Sequence, residues 1–154
     1  MGKPWINYFL QSFLAMVAIF VVLVTLSLEH IVIVASIGAS AFIVFTMPRS
    51  VTARPKNVIG GHMIGFMSGS LCWYFGQIFP HTQLIATLAM YSLAVGLSMF
   101  LMVVTGTERP LASGTALATA ISGFSFKILL ALIISTCVLS IIKHALKPYL
   151  RDLV

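Results

Sequence analysis

Residues 35–62 read ASIGASAFIVFTMPRSVTARPKNVIGGH. The stretch passes from an apolar run of small residues, through a short loop with three cations, to a glycine pair followed by a histidine. The chain around it has 154 residues, 60% of them hydrophobic and only 8% charged. A typical soluble domain carries about 25% charged residues. No polar block here is long enough to make one, so the composition predicts a single transmembrane domain over residues 1–154 and no soluble domain. Within it, the loop and the histidine point to something polar or charged handled inside the bilayer.

Working outward from that stretch, apolar segments cover residues 5–28, 31–47, 58–79, 84–104, 111–125 and 126–146. A helix needs about 20 residues to cross a hydrocarbon core of roughly 30 Å. The second segment has 17 residues and the fifth 15, reaching only about 25 and 22 Å at the helical rise. Both are rich in small residues. The first segment exceeds the roughly 7–15 apolar residues of a secretory signal core and ends in no small-x-small cleavage site. It reads as a retained span.

Charge decides the number of crossings. Nine Lys and Arg stand against three acids, a net charge of +6. If all six segments cross, Lys3, Arg49, Arg54, Lys56, Arg109, Lys143, Lys147 and Arg151 share one side and Lys127 alone takes the other. The positive-inside rule therefore predicts six crossings with both termini in the cytoplasm of a bacterial inner membrane or its equivalent. Because the cations lie between apolar runs, anionic lipid head groups explain them better than nucleic acid does. Cys72 and Cys137 fall inside apolar segments and have neither a disulfide framework nor metal-ligand spacing.

The expected fold is all-α and polytopic, with about six transmembrane segments, two of them short or broken. Six crossings divide the chain into two groups of three that enter from opposite faces. The middle segment of each is the short one, preceded by Glu29-His30 in the first group and Glu108-Arg109 in the second. Each carries a similar string, Ala35-Ser36-Ile37-Gly38-Ala39-Ser40 and Ala112-Ser113-Gly114-Thr115-Ala116. Matching short segments in inverted halves point to a transport site near the midplane, here as a 3+3 inverted repeat. The same small residues also occur wherever membrane helices pack closely.

Gly61, Gly65 and Gly69 recur every four residues and clear one helix face for a neighbouring backbone. His62 projects from nearly that face, so it should point into the protein. There it could relay protons, donate to an anion, or bond a carbonyl across a helix interface. The loop from Pro48 to Asn57 holds Arg49, Arg54 and Lys56 between two prolines that restrict it. It is either an ordinary cytoplasmic loop or an electrostatic collar at a pore mouth. Arg109-Pro110 should open a helix whose free amides favour negative charge, with Thr107, Ser113 and Thr115 adding hydroxyls. Arg109 itself has three readings: binding substrate, pairing with Glu108, or snorkelling to the interface. Thr87, Tyr91, Ala94, Ser98 and Thr105 form a small and polar stripe of the kind that normally marks helix packing and less often lines a pore. Trp5, Trp73 and Tyr149 suit interfacial anchoring or packing. With no nucleophile–base pair, nucleotide loop or metal cluster, the expectation is a non-enzyme without cofactor or metal.

The opening stretch resembles the HPP family of membrane proteins. The likeness runs through Ala35-Ser36-Ile37-Gly38-Ala39-Ser40-Ala41, then Pro48 and Ser50, and ends in Arg54-Pro55-Lys56-Asn57-Val58-Ile59-Gly60-Gly61-His62. Ala94-Val95-Gly96-Leu97 and Thr115-Ala116-Leu117 fit less specifically. Where the family usually has arginine in the last string, this chain has Lys56. The His-Pro-Pro motif that gives the family its name aligns with Arg109-Pro110-Leu111, which keeps only the middle proline. Some family members are regarded as nitrite transporters. The resemblance therefore implies a small transporter or channel for a nitrite-like inorganic monovalent anion. Its pathway candidates are His62, Asn57, Arg109, Pro110, Ser113, Thr115, Ser40, Arg49, Arg54 and Lys56. The expected partners are that anion, membrane lipids and further copies of the chain. A non-transporting scaffold that binds lipid is the alternative, its glycines packing helices and its cations meeting head groups.

Overall fold

A computed structural model describes residues 9–14, 16–17, 20, 31–78, 84–146, 150 and 152. The described residues are helical or in turns, with no strand among them. Most of the first apolar segment, Glu29-His30, Trp5 and Tyr149 lie outside the described residues; those that are described in the first segment are helical. Beyond it come α1 (Ile31–Thr46), α2 (Pro55–Gly76), α3 (Leu84–Thr105), α4 (Ala112–Ser122) and α5 (Phe126–Leu146).

Local chemistry sets the boundaries. Pro48 disfavours helix at the residue before it, and α1 stops at Thr46. A short 3-10 turn, Val51–Ala53, follows; the Ser50 hydroxyl caps it by accepting from the Ala53 amide at 3.2 Å. Pro55 then occupies the first turn of α2, where its missing N–H costs nothing. The basic loop is thus shorter than the sequence suggested, because Lys56 and Asn57 already belong to α2. At the end of α3, Gly106 takes φ +61. The Thr107 amide reaches back to the Met102 carbonyl at 3.0 Å and the Gly106 amide to Val103 at 3.2 Å, closing a Schellman motif.

The fifth apolar segment is mostly a short helix. α4 has 11 residues, a rise of about 16 Å, roughly half a hydrocarbon core. It ends at Gly123, whose φ of +86 is open to glycine and strained for other residues. The Trp73 ring also covers that corner, and a Cβ on Gly123 would lie 2.8 Å from Trp73 Cε2. Trp73 is therefore a packing residue holding the α4–α5 link.

α2 and α4 form the centre. Ile37, Val44, Phe45, Val58, Phe66, Ala118, Ile128 and Leu132 bury together where α1, α2, α4 and α5 meet. On the other side α3 contributes Ala94 to a smaller cluster with Cys72 and Ala120. Of the polar stripe on α3, Ala94 and Ser98 are buried, Thr87 and Tyr91 half-buried, and Thr105 exposed. It is mainly a packing face, extended by buried Met102.

Gly61, Gly65 and Gly69 of α2 lie in its seam with α4 and the loop ahead of it. A Cβ on Gly65 would strike the Ala112 carbonyl oxygen and one on Gly69 the Ala116 carbonyl oxygen. A Cβ on Gly61 would lie 2.8 Å from Arg109 Cβ. The stripe thus serves packing within the chain. Outward, the pattern of a soluble protein is reversed: Phe42, Met67, Leu84, Ile85, Phe100 and Ile141 are exposed, while many hydroxyls are buried. Such a surface is suited to lipid. α3 and α5 are long and apolar enough to cross a membrane.

Candidate functional site

Three helices bring a histidine and three hydroxyls together at the protein's centre. His62 enters from α2 on the glycine side, as its spacing predicted, and is fully buried. Its Nδ1 lies 2.7 Å from the Thr115 hydroxyl of α4, and its Nε2 lies 2.9 Å from the Ser40 hydroxyl of α1. The Ser36 hydroxyl, one turn before Ser40, lies 3.1 Å from Thr115 and donates to the Leu111 carbonyl at 2.8 Å. Ser40 donates to the Ser36 carbonyl at 2.9 Å. The two short helices thus touch each other through Ser36 and Thr115, with His62 bridging them.

Arg109 lies beside this cluster, in the loop ahead of α4, and is only 1% exposed. Its Nη1 donates to the Thr52 carbonyl and its Nη2 to the Ser40 carbonyl at 3.4 Å, while Nε has no partner. Among the described residues the one ion pair joins Arg49 to Asp152, N to O 3.8 Å, so Arg109 has no carboxylate partner. It therefore neither pairs with the exposed Glu108 nor snorkels to a surface. Outside the helices, burial pulls the Arg109 guanidinium down to about 10, which leaves it charged at neutral pH.

The other predicted residues divide. Asn57, also buried, donates from Nδ2 to the Glu108 carbonyl at 3.4 Å and so ties α2 to the loop that carries Arg109. The Ser113 hydroxyl is buried without a partner, and Pro110 is exposed at the start of the turn. The amides there are not free, contrary to the sequence expectation. Ala112, Ser113 and Gly114 donate to the carbonyls of Arg109, Pro110 and Leu111 at 2.9, 3.2 and 3.2 Å. Tight turns of this kind satisfy a helix start from within.

Arg49, Arg54 and Lys56 are exposed and stand apart from His62. The first two line a cleft of about 500 Å³ with Pro48, Lys143 and His144. Between cleft and centre lies the Val51–Ala53 turn, which receives Arg109 at Thr52 and the Lys143 ammonium at the Ala53 carbonyl. Ser36 and the Thr52 carbonyl join the site in addition to the residues the sequence points to. The four-residue spacing of Ser36 and Ser40 on one face of α1 was the signal for the first. A carbonyl in an irregular turn leaves no mark in the sequence. Among the described residues no group of three His, Cys, Asp or Glu side chains could hold a metal ion.

The model of the HPP transmembrane region matches residues 2–149. The chain belongs to the HPP family. It is a membrane protein with transmembrane helices. A transmembrane protein of Dictyostelium discoideum is 36% identical to this HPP chain over 90 residues, which cover 56% of the chain and 29% of that protein. Another transmembrane protein of Dictyostelium discoideum is 29% identical over 121 residues, 79% of this chain and 37% of that protein. The chain thus spans about a third of the length of these curated relatives. No solved structure shows a significant match. Within this HPP chain, both the glycine–histidine string and the Arg109-Pro110-Leu111 site contribute to the buried centre.

Proposed function

We propose that this chain is a small transporter or channel for an inorganic monovalent anion, nitrite-like, crossing the membrane six times with both termini in the cytoplasm. The observation that carries the proposal is Arg109, a buried cation with no carboxylate partner among the described residues and an unused Nε donor. A buried charge without a counterion is expensive, and an anion arriving beside the guanidinium relieves that cost. The unused Arg109 Nε–H replaces part of the ion's hydration, and the cluster of Ser36, Ser40, Thr115 and His62 beside it makes the surroundings polar. The cleft lined by Arg49 and Arg54 concentrates anions at the cytoplasmic mouth. The meeting of α1 and α4 at Ser36–Thr115 supports a midplane site between two inverted halves.

The test is flux into liposomes holding a nitrite indicator, compared with protein-free vesicles. Wild-type protein should carry nitrite or a similar monovalent anion, and absence of flux for every such anion sinks the proposal. His62→Gln, which keeps one donor and one acceptor, should fold and lose roughly tenfold in flux, the scale of one lost charge-assisted contact. Unchanged flux would assign His62 to packing alone. For topology, Arg49→Cys and Thr82→Cys, each in a background without Cys72 and Cys137, should label from opposite sides. Labelling from one side would remove the six-crossing arrangement.

A further inference from the structure

The hydrogen bonds around His62 do not balance when its ring is neutral. Five contacts join Ser36, Ser40, His62, Thr115 and the carbonyls of Ser36 and Leu111. Each contact needs one hydrogen. The three hydroxyls supply three and a neutral imidazole one, four in all. Were Ser40 to give its hydrogen to Nε2, its contact with the Ser36 carbonyl would go unfilled instead; with that hydrogen on the Ser36 carbonyl, Nε2 donates to Ser40. Nδ1 is then a bare lone pair that accepts from Thr115. Ser36 gives its hydrogen to the Leu111 carbonyl, which leaves the 3.1 Å contact between Ser36 and Thr115 without one. A proton on Nδ1 corrects this. Nδ1–H donates to Thr115, Thr115 to Ser36 and Ser36 to Leu111, while Nε2–H donates to Ser40. Five hydrogens then fill five contacts.

We propose that His62 takes up a proton together with the anion, so that the site carries one proton with each monovalent anion. The inference rests on the anion reading given above. A hydronium ion of the solvent gives up the proton: one of its O–H bonds breaks, the Nδ1–H bond forms on the imidazole lone pair, and water is released. Its charge is the second positive charge in a cluster that already holds Arg109, and the arriving anion offsets it. Arg109 is the charged side chain that joins the cluster, its Nη2 donating to the Ser40 carbonyl at 3.4 Å. α1 presents hydroxyls, and α4 has no titratable side chain. α2 carries Lys56, Cys72 and Tyr74 elsewhere along its length, and α3 carries Tyr91. α5 carries Cys137, exposed Lys127 and His144, and Lys143, which is engaged at Ala53.

Ser36 supplies the deciding variant. Ser36→Ala removes two contacts and one hydrogen, so three hydrogens serve three contacts and a neutral ring is fully satisfied. The experiment uses the whole chain in detergent, weakly buffered with an indicator dye, with nitrite as probe and calorimetry to measure binding. Wild-type protein should take up as much as one proton per nitrite bound. Its apparent affinity should weaken about tenfold per pH unit wherever the free ring is neutral and the complex protonated. Ser36→Ala, which also removes one hydroxyl from the site, should bind nitrite more weakly, and what binding remains should show little proton uptake and a flat pH profile. In wild-type protein, ¹⁵N imidazole spectra should show the Nε2–H form of His62 without nitrite and both nitrogens protonated with it, a readout that needs no variant. Nitrite binding without proton uptake by wild-type protein overturns the coupling and leaves the anion reading standing. Equal uptake by wild-type and Ser36→Ala overturns the hydrogen count as its cause. Failure to bind nitrite at all removes the anion reading and the coupling with it.

Discussion

Arg109→Met should reduce anion flux about a hundredfold, the effect of removing roughly 3 kcal/mol of charged contact from a desolvated site. The chain should still fold. Methionine keeps much of the stem volume, and removing a buried charge without a carboxylate partner offsets the lost bonds to Thr52 and Ser40. Arg109→Lys should fall between, because an ammonium keeps the charge but loses the fork that reaches two carbonyls at once. Flux in reconstituted vesicles, paired with thermal denaturation, checks both arms. Full flux in Arg109→Met would mean that the guanidinium serves only to tie the Thr52 turn to α1.

The second large effect falls on stability. Gly65→Ala and Gly69→Ala should each cost about 1–3 kcal/mol, because the new methyl group meets a backbone carbonyl oxygen of α4 rather than a side chain that can turn aside. Forcing the seam apart should also lengthen the contact between His62 and Thr115, so activity should fall with stability. Gly38→Ala and Gly96→Ala are the controls. Nothing lies within 4 Å of a Cβ at either position, so both should be neutral or gain up to about 1 kcal/mol in helix propensity. Denaturation by heat or detergent reads the difference. Equal losses at all four glycines would show that the seam has no special closeness.

Much of the centre was legible in the sequence because it follows from helical spacing. The four-residue glycine interval put His62 on the seam face, and the short apolar runs marked α1 and α4. Ser40 and Thr115 lay within the small-residue strings that drew attention to those runs. The rest depends on distant partners. Whether Arg109 turned inward, paired with Glu108 or reached the surface was set by the Thr52 and Ser40 carbonyls, far away in sequence. The expected free amides ahead of α4 were taken up by a local turn that Arg109-Pro110-Leu111 does not announce. Trp73 lies over Gly123 where α4 ends, a contact across 50 positions that no periodicity reveals.

The glycine seam also has a mechanical consequence. Contact between two backbones leaves no flexible side chain to absorb a displacement, so α2 and α4 behave as one stiff plate. α1 meets that plate through side chains, the hydroxyls of Ser36 and Ser40 at the site and Ile37, Val44 and Phe45 in the core, and side-chain contacts exchange partners at smaller cost than a backbone seam can slide. Any opening of the centre is therefore easiest as a rocking of α1 over an immobile α2–α4 pair, with Ser36 and Ser40 as the points that release and re-form.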